Sequence, residues 1–452
     1  MQHAIDKATS GDLVWVAKGI YYPTKLLPSK TTSRYKSFQM KNGVKVYGGF
    51  AGGEKHIEGR DVKNNVSILS GNFGQIGELS DNAYHVVSCT GPLSASTILD
   101  GFTIMHGNAN GNGNEGYGGG IAIGPSAAIK IQNCLIYWNN AKLGGGGIYS
   151  INSSSCIKDC NINNNNSGNG GGIFLSNSVD TVTRCHILSN SGELGANIYA
   201  SFFHGVIFTN KIASGNVNAT VGIGYKGGGI YLSGASGMAS ISSNLILSNH
   251  SWFGAGIYLY SVESLIENNL IKDNNSKESG AGIYVYNIAT TSFSSLINNT
   301  IISNRNTATI PGTGAGIYHN KGVVRVKNNI VSKNYIDAPG KIQDFGSEDT
   351  SNIHDYGYNH IQVSGYVWKE KGNVTGIPEN ASLEYKDVVL PVNGFITSVA
   401  EPGIGSFYID KGDTASVNGQ PVPKKIGRPF QDWTSGYGGF RIHFPNYRSW
   451  YS

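Results

Sequence analysis

Charge is scarce in this chain. Only 14% of its 452 residues are Asp, Glu, Lys or Arg, against roughly 25% in ordinary domains. The formal net charge is +5, and basic residues gather no further than pairs such as Lys424-Lys425. That excludes the concentrated basic stripe by which nucleic-acid binders are recognised. No apolar run reaches the roughly 18 residues of a membrane-spanning helix. The opening MQHAIDKATSGD lacks the basic and apolar regions of a signal peptide. It reads as the middle of a helix, so the natural N-terminus and any export signal are expected upstream. The five cysteines form no zinc spacing, and an odd count argues against a complete disulfide framework.

What the chain has is glycine and asparagine, 63 and 47 residues respectively. Glycine stands at about twice its usual share. No Gly-X-Y period runs through it, so collagen is excluded, and both residues are poor helix formers. An apolar fraction of 39% supplies a core and argues against disorder.

Two motifs alternate. The first is Gly/Ala-Gly-Ile-Tyr, centred on Ile121, Ile148, Ile173, Ile198, Ile230, Ile257, Ile283 and Ile317, with steps of 27, 25, 25, 32, 27, 26 and 34. The second is Asn-x-x-Ile-x-x-Asn, centred on Ile136, Ile162, Ile187, Ile212, Ile246, Ile271, Ile301 and Ile330, with an earlier relative at Ile104. Its closing asparagine is Asn139, Asn165, Asn190, Asn249, Asn274 or Asn304, while Ile212 is followed by Gly215. Two short strands in about 25 residues leave no room for the helices of leucine-rich or ankyrin repeats, or for a four-stranded propeller blade. The period therefore predicts an all-β, right-handed parallel β-helix, each repeat one rung. Residues 1–110 would hold a short helical cap and irregular first rungs, 111–335 the regular rungs, and 336–452 the last irregular rungs with a C-terminal cap or linker. The cap is expected over 4–8, and early strands over 13–16, 44–47, 85–89 and 98–105.

Rungs lie about 4.8 Å apart, so equivalent side chains stack. Cys134, Cys160 and Cys185 share one position, which Asn210, Asn244, Asn269 and Asn299 then occupy. This predicts an interior ladder that passes from reduced thiols to amides. The asparagines closing the second motif form another ladder, expected at a corner whose left-handed geometry suits Asn.

This combination resembles the right-handed parallel β-helix repeat proteins of the pectate-lyase-like superfold. More narrowly it is similar to secreted surface proteins of gut-type Bacteroidota. The residues carrying that resemblance are Ala4-Ile5-Asp6-Lys7-Ala8, Gly11-Asp12-Leu13-Val14-Trp15-Val16, Tyr47-Gly48-Gly49-Phe50, Leu99-Asp100-Gly101-Phe102-Thr103-Ile104 and the repeats. Tyr408-Ile409-Asp410-Lys411-Gly412 resembles the segment before an anchoring region in that group. The alternating motif pair is also similar to the repeats of chlamydial polymorphic membrane adhesins. The resemblance implies secretion or a cell-surface location. The superfold hosts lyases, hydrolases, adhesins and stalks, so function must come from sites.

The Asp-Asp, Asn-Thr-Asp and Gly-His-Gly segments of polygalacturonase-like enzymes do not occur. Rung alignment stacks Asp159 on Arg184 beside Lys158, which reads either as a solvated ion pair or as a lyase base beside its charge partner. Residues 108–115 (NANGNGNE) could hold calcium or be a plain Asn/Gly loop, and no other cofactor is indicated. His85 and His106 read as rung or turn residues. The outward feature is aromatic: Tyr149, Phe174, Tyr199, Tyr231, Tyr258, Tyr284 and Tyr318 form one column, and Tyr260 and Tyr286 begin a second. Such a column either stabilises the rungs by stacking or, exposed, offers a polysaccharide a platform. Loops of unequal length all leave one corner, which marks a binding face in solenoids, with Tyr225 and Trp252 at its middle. The reading taken forward is a monomeric surface or secreted protein binding polysaccharide or a cell-surface glycoprotein. The alternatives are a polysaccharide lyase or hydrolase acting on an acidic polymer, and a structural stalk.

Overall fold

The computed structural model describes residues 1–402 except 76, 218–224, 235–236, 289–291, 309–313, 338–340, 365, 367, 369, 371–372, 376–384 and 393–394. The segment Tyr408-Ile409-Asp410-Lys411-Gly412 and the rest of the tail lie outside the described residues.

A single coil shows why the sequence folds as it does. Ile148–Ile151 runs along the first sheet, Cys156–Lys158 along the second and Asn161–Asn163 along the third. Alternation turns Ile148, Ile157 and Ile162 inward, where each is fully buried. Two turns require left-handed backbone, taken by Asp159 at φ 55° and Asn164 at φ 52°. Short polar side chains tolerate that conformation better than bulky ones. A fourth side brings the chain back, closed by a left-handed glycine, Gly170, at φ 58°. Ile148 then pairs in parallel with Ile173, Tyr149 with Phe174 and Ser150 with Leu175.

Repetition of this coil gives a right-handed parallel β-helix whose three long sheets hold 12, 11 and 13 strands. They extend from Leu13–Ala17 to Val374–Thr375. The fourth side forms a shorter ribbon of seven strands from Ser191–Gly192 to Lys341–Ile342. One continuous apolar core fills the interior, closed at its amino end by the helix Gln2–Lys7 through fully buried Ile5. No helix among the described residues is long and apolar enough to cross a membrane.

Two expectations need correction. The strand expected over 98–105 is two strands, Ile98–Asp100 and Phe102–Met105, because Gly101 turns the chain at φ 80°. The ladder asparagines are not themselves left-handed. The preceding residues are: Trp138, Asn164, Ser189, Ser214, Ser248, Asp273 and Ser303 all lie at φ between 52° and 56°. That turn swings the next residue inward, where its amide can reach the following rung.

Both ladders run through the interior. In one, Asn210, Asn244, Asn269, Asn299 and Asn329 each donate an Nδ2 hydrogen bond to the Oδ1 of the next, at 3.0–3.1 Å, ending on Asn359. Cys134, Cys160 and Cys185 continue it toward the amino end as free thiols donating to rung carbonyls. Burial raises the Cys160 thiol well above its ordinary range, so these sulfurs act as small apolar groups. Cys156 belongs to a different column, half-buried on the outer face.

Candidate functional site

The second sheet, on its outer face, carries the ionic groups. Arg184 donates to both carboxylate oxygens of Asp159 at 2.7 Å, which is the stacking expected. Lys158 lies beside them on Cys156–Lys158, paired across rungs with Gln132 and Thr183. Arg184 is raised above its usual range, chiefly by its hydrogen bond to Asp159, so the guanidinium is held as a cation. Two rungs toward the amino end, buried Asp100 accepts from Arg60 at 2.8 Å, Gln132 at 2.5 Å and Asn133 at 3.1 Å. The Arg60 guanidinium lies 5.2 Å from the Tyr47 ring.

The tyrosine column stands outside the first sheet, yet it is not an exposed stripe. Phe174, Tyr231, Tyr258, Tyr284 and Tyr318 are all buried, Tyr258 to 3% exposure. The returning fourth side folds over the rings. Leu194 and Phe253 pack on the column, the Lys226 amine sits 5.0 Å from the Tyr258 ring, and a Cβ on Gly144 would lie 2.5 Å from Phe174. Neighbouring rings stack at centroid distances of 4.6–5.2 Å from Phe174 to Tyr284. Burial raises the Tyr149 phenol to about 12 and the deeper ones further, so these hydroxyls stay neutral. Tyr260 and Tyr286 stack at 5.7 Å and are only partly buried. Trp252 is half-buried under Lys277, 5.2 Å from its ring, with its indole N–H turned inward. Tyr225 accepts backbone hydrogen bonds from Trp252 and Phe253. Most of the column is therefore covered, while Tyr149, Tyr199, Tyr260 and Tyr286 stay partly accessible.

In the 108–115 loop, Glu115 accepts from Lys30 at 2.8 Å, Asn110 from Arg34 at 2.7 Å and Asn112 from Lys142 at 2.9 Å. Three side-chain oxygens of the loop thus face cationic side chains. Among the described residues no cluster of three His, Cys, Asp or Glu is poised to hold a metal. His85 is buried against the Gly118 carbonyl, and His106 stacks on Trp138.

Three features escape motif reading. The ladder that starts at Asn139 passes Asn165 and Asn190 and then meets Gly215, where no amide exists. Asn197, standing where other rungs have the second glycine of Gly-Gly-Ile, reaches across instead. It accepts from Asn190 at 2.9 Å and donates to Asn249 at 3.0 Å. The signal was present as two simultaneous departures, Asn for Gly and Gly for Asn. Second, the ladder runs on through Asn274, Asn304 and Asn334 to Asp344, which accepts from Asn334 at 2.7 Å and from the Val363 N–H at 2.9 Å. A carboxyl oxygen, which accepts from Asn334 and carries no N–H to pass on, suits the end of a forward-donating chain. Third, Trp138 stands out from a corner that most rungs give to Asn, Ser or Asp.

Asp344 is the clearest pH-sensitive group. Burial pushes its carboxyl up to about 7, above the ordinary value of 3.8. A raised folded-state value means the fold favours the protonated acid, so its contribution is complete below about 4 and lost as pH rises through about 7. The stability difference between the parent and Asp344→Asn should therefore favour the parent more at pH 4 than at pH 8. Urea midpoints at the two pH values check this, and a constant difference would remove Asp344 as the titrating group.

Residues 94–260 and 171–365 match the family model described as the right handed beta helix region. The fold is similar to that of the pectate lyase Pel9A, at 11% identity over 77% of this chain and 73% of that chain, with a TM-score of 0.38. It is also similar to PfbA, a surface adhesin of Streptococcus pneumoniae, at 11% identity, 88% and 94% coverage and a TM-score of 0.35. A third similar structure is the A-module of the Azotobacter vinelandii mannuronan C-5 epimerase AlgE6, at 13% identity, 83% and 94% coverage and a TM-score of 0.31. No curated protein matches the chain. The two matched stretches together take in well over half of the sequence and coincide with the stacked rungs, so the chain belongs to the right handed beta helix family.

Proposed function

We propose that this β-helix is a secreted or cell-surface binding protein for glycans, free or on a partner glycoprotein, and acts without catalysis. The observation that carries this reading is the chemistry of its outer corners. One corner presents Asn133, Thr209, Ser243, Asn268, Asn298 and Asn328 with the paired Asp159 and Arg184 among them, the other Asn164, Ser189, Ser214, Ser248 and Ser303 with Asp273 and Lys333 among them, all in left-handed backbone. Rows made mostly of uncharged donors and acceptors suit a hydroxyl-rich polymer laid along the axis. The ionic groups are engaged with one another: Asp159 with Arg184, Asp100 with Arg60, and Asp337 with Arg305 at 2.7 Å.

The test places the full chain on immobilised plant, algal and host polysaccharides with and without calcium. It follows retention, polymer length and the absorbance of unsaturated uronate. Retention with unchanged polymers is expected. Shortened chains or new absorbance would replace this reading with a lyase or hydrolase and direct mutagenesis to Lys158, while neither retention nor turnover would leave a stalk or a partner other than glycan.

A further inference from the structure

Trp138 occupies the corner between the third sheet and the amide ladder, at φ 53° and 54% exposed. A bulky side chain with left-handed backbone is uncommon; in this row His106 and Lys333 are the other large residues, and the corners between Trp138 and Lys333 carry Asn164, Ser189, Ser214, Ser248, Asp273 and Ser303. An exposed indole is not held there by the core, so the strain points to use rather than to packing. Its surroundings are ordered. His106 stacks on one face at a centroid distance of 6.2 Å and an interplanar angle of 10°, and Tyr137 packs at 4.7 Å, tilted by 57°.

On the other side the next rung pairs Leu135 with Asn161 and Tyr137 with Asn163. There the side chains are short amides in a relay: Asn164 Nδ2 donates to Asn163 Oδ1 at 3.0 Å, and Asn163 Nδ2 to Asn161 Oδ1 at 2.9 Å. The relay leaves the Asn161 amide N–H groups and Asn164 Oδ1 to engage a ligand. Leu135, Tyr137 and Trp138 on one rung, and Asn161, Asn163 and Asn164 on the next, carry no charge.

We propose that Trp138 and Tyr137, with the amides of Asn161, Asn163 and Asn164, form a subsite for one neutral pyranose ring of a polysaccharide. This rests on the glycan-binding reading above. The apolar C–H face of a pyranose lies on the indole face that turns toward the amide rung, and its edge hydroxyls meet the amide donors and acceptors. Rigid aromatic area beside a few fixed polar groups is the make-up of a small-ligand site. The lack of charge selects a neutral ring, because a uronate carboxylate would find no cation in these two rows.

The test is affinity electrophoresis of the full chain in gels containing galactomannan, glucomannan, xyloglucan or mixed-linkage glucan, with polygalacturonate as the charged comparator. The parent is expected to be retarded by at least one neutral polymer. Trp138→Asn, which suits the left-handed corner, should weaken binding at least about tenfold, Asn163→Ala about threefold, and Trp138→Phe by less than about threefold. The melting temperature of Trp138→Asn should equal or exceed that of the parent, which separates lost binding from lost fold. Retardation of Trp138→Asn within about twofold of the parent would overturn the subsite and leave the glycan reading standing. A parent retarded only by polygalacturonate would do the same. A parent retarded by no polymer would overturn both.

Discussion

Asn197→Gly is expected to destabilise the chain by about 1–3 kcal/mol, because it leaves a buried side-chain N–H of the ladder without its acceptor. The Asn190 amide loses its acceptor at 2.9 Å and keeps only the Ile162 carbonyl, while the Ala213 carbonyl loses a donor at 3.0 Å but keeps the Ser189 N–H. Asn249 Oδ1 keeps the Gly215 N–H at 2.9 Å, so the damage concentrates on the amino side of the gap. Gly215→Asn alone should also be harmful, since its Cβ would fall 2.6 Å from Asn197 Nδ2 and 2.0 Å from the Gly228 carbonyl. Placed in the Asn197→Gly background, the same change meets one obstacle fewer and supplies the missing amide. The two substitutions should therefore couple favourably by about 1–3 kcal/mol, as neighbours sharing one network do. Denaturation midpoints of the four proteins measure this coupling. Additivity within about 0.5 kcal/mol would show that the two positions do not share the ladder.

Tyr258→Ala should cost about 3–5 kcal/mol, the usual loss for a buried aromatic, and leave glycan retention of the folded variant unchanged. The ring stacks between Tyr231 at 5.2 Å and Tyr284 at 4.8 Å, almost parallel to the first at 4°. Removal takes away two ring contacts and the surface on which Lys226 rests. Loss of retention at a temperature where the variant is still folded would restore the column as a ligand platform. The pair Tyr258→Ala and Trp138→Asn thus separates the two aromatic features: the first should move stability alone, the second binding alone.

Much of the fold was legible because its determinants are periodic. The inward isoleucines, the thiol-to-amide ladder and the stacking of Asp159 on Arg184 all follow from aligning repeats and applying two-residue alternation. Burial of the tyrosine column was not legible. It depends on how the glycine-rich fourth side folds back, which alternation within a strand does not contain. The left-handed corner was misplaced by one residue because Asn favours both that conformation and a ladder position, and composition cannot separate the two roles. Trp138 went unremarked for a related reason. It occupies the variable place before the ladder asparagine, where the motif allows anything, and only the backbone angle shows that a bulky ring there is out of keeping.

The amide ladders also give the molecule a direction. From Asn139 to Asp344 each side chain accepts from the rung before and donates to the rung after, so the stack has distinct starting and finishing ends. A whole rung spliced in or out of the regular stretch from Asn249 to Asn334 preserves the ladder's donors and acceptors and alters the axial length by about 4.8 Å. The carboxylate at Asp344 offers no N–H to a further rung and closes the series. The distance from Trp138 to the far end is therefore adjustable in fixed steps, which makes this architecture a ruler that gene duplication can lengthen without redesigning its core.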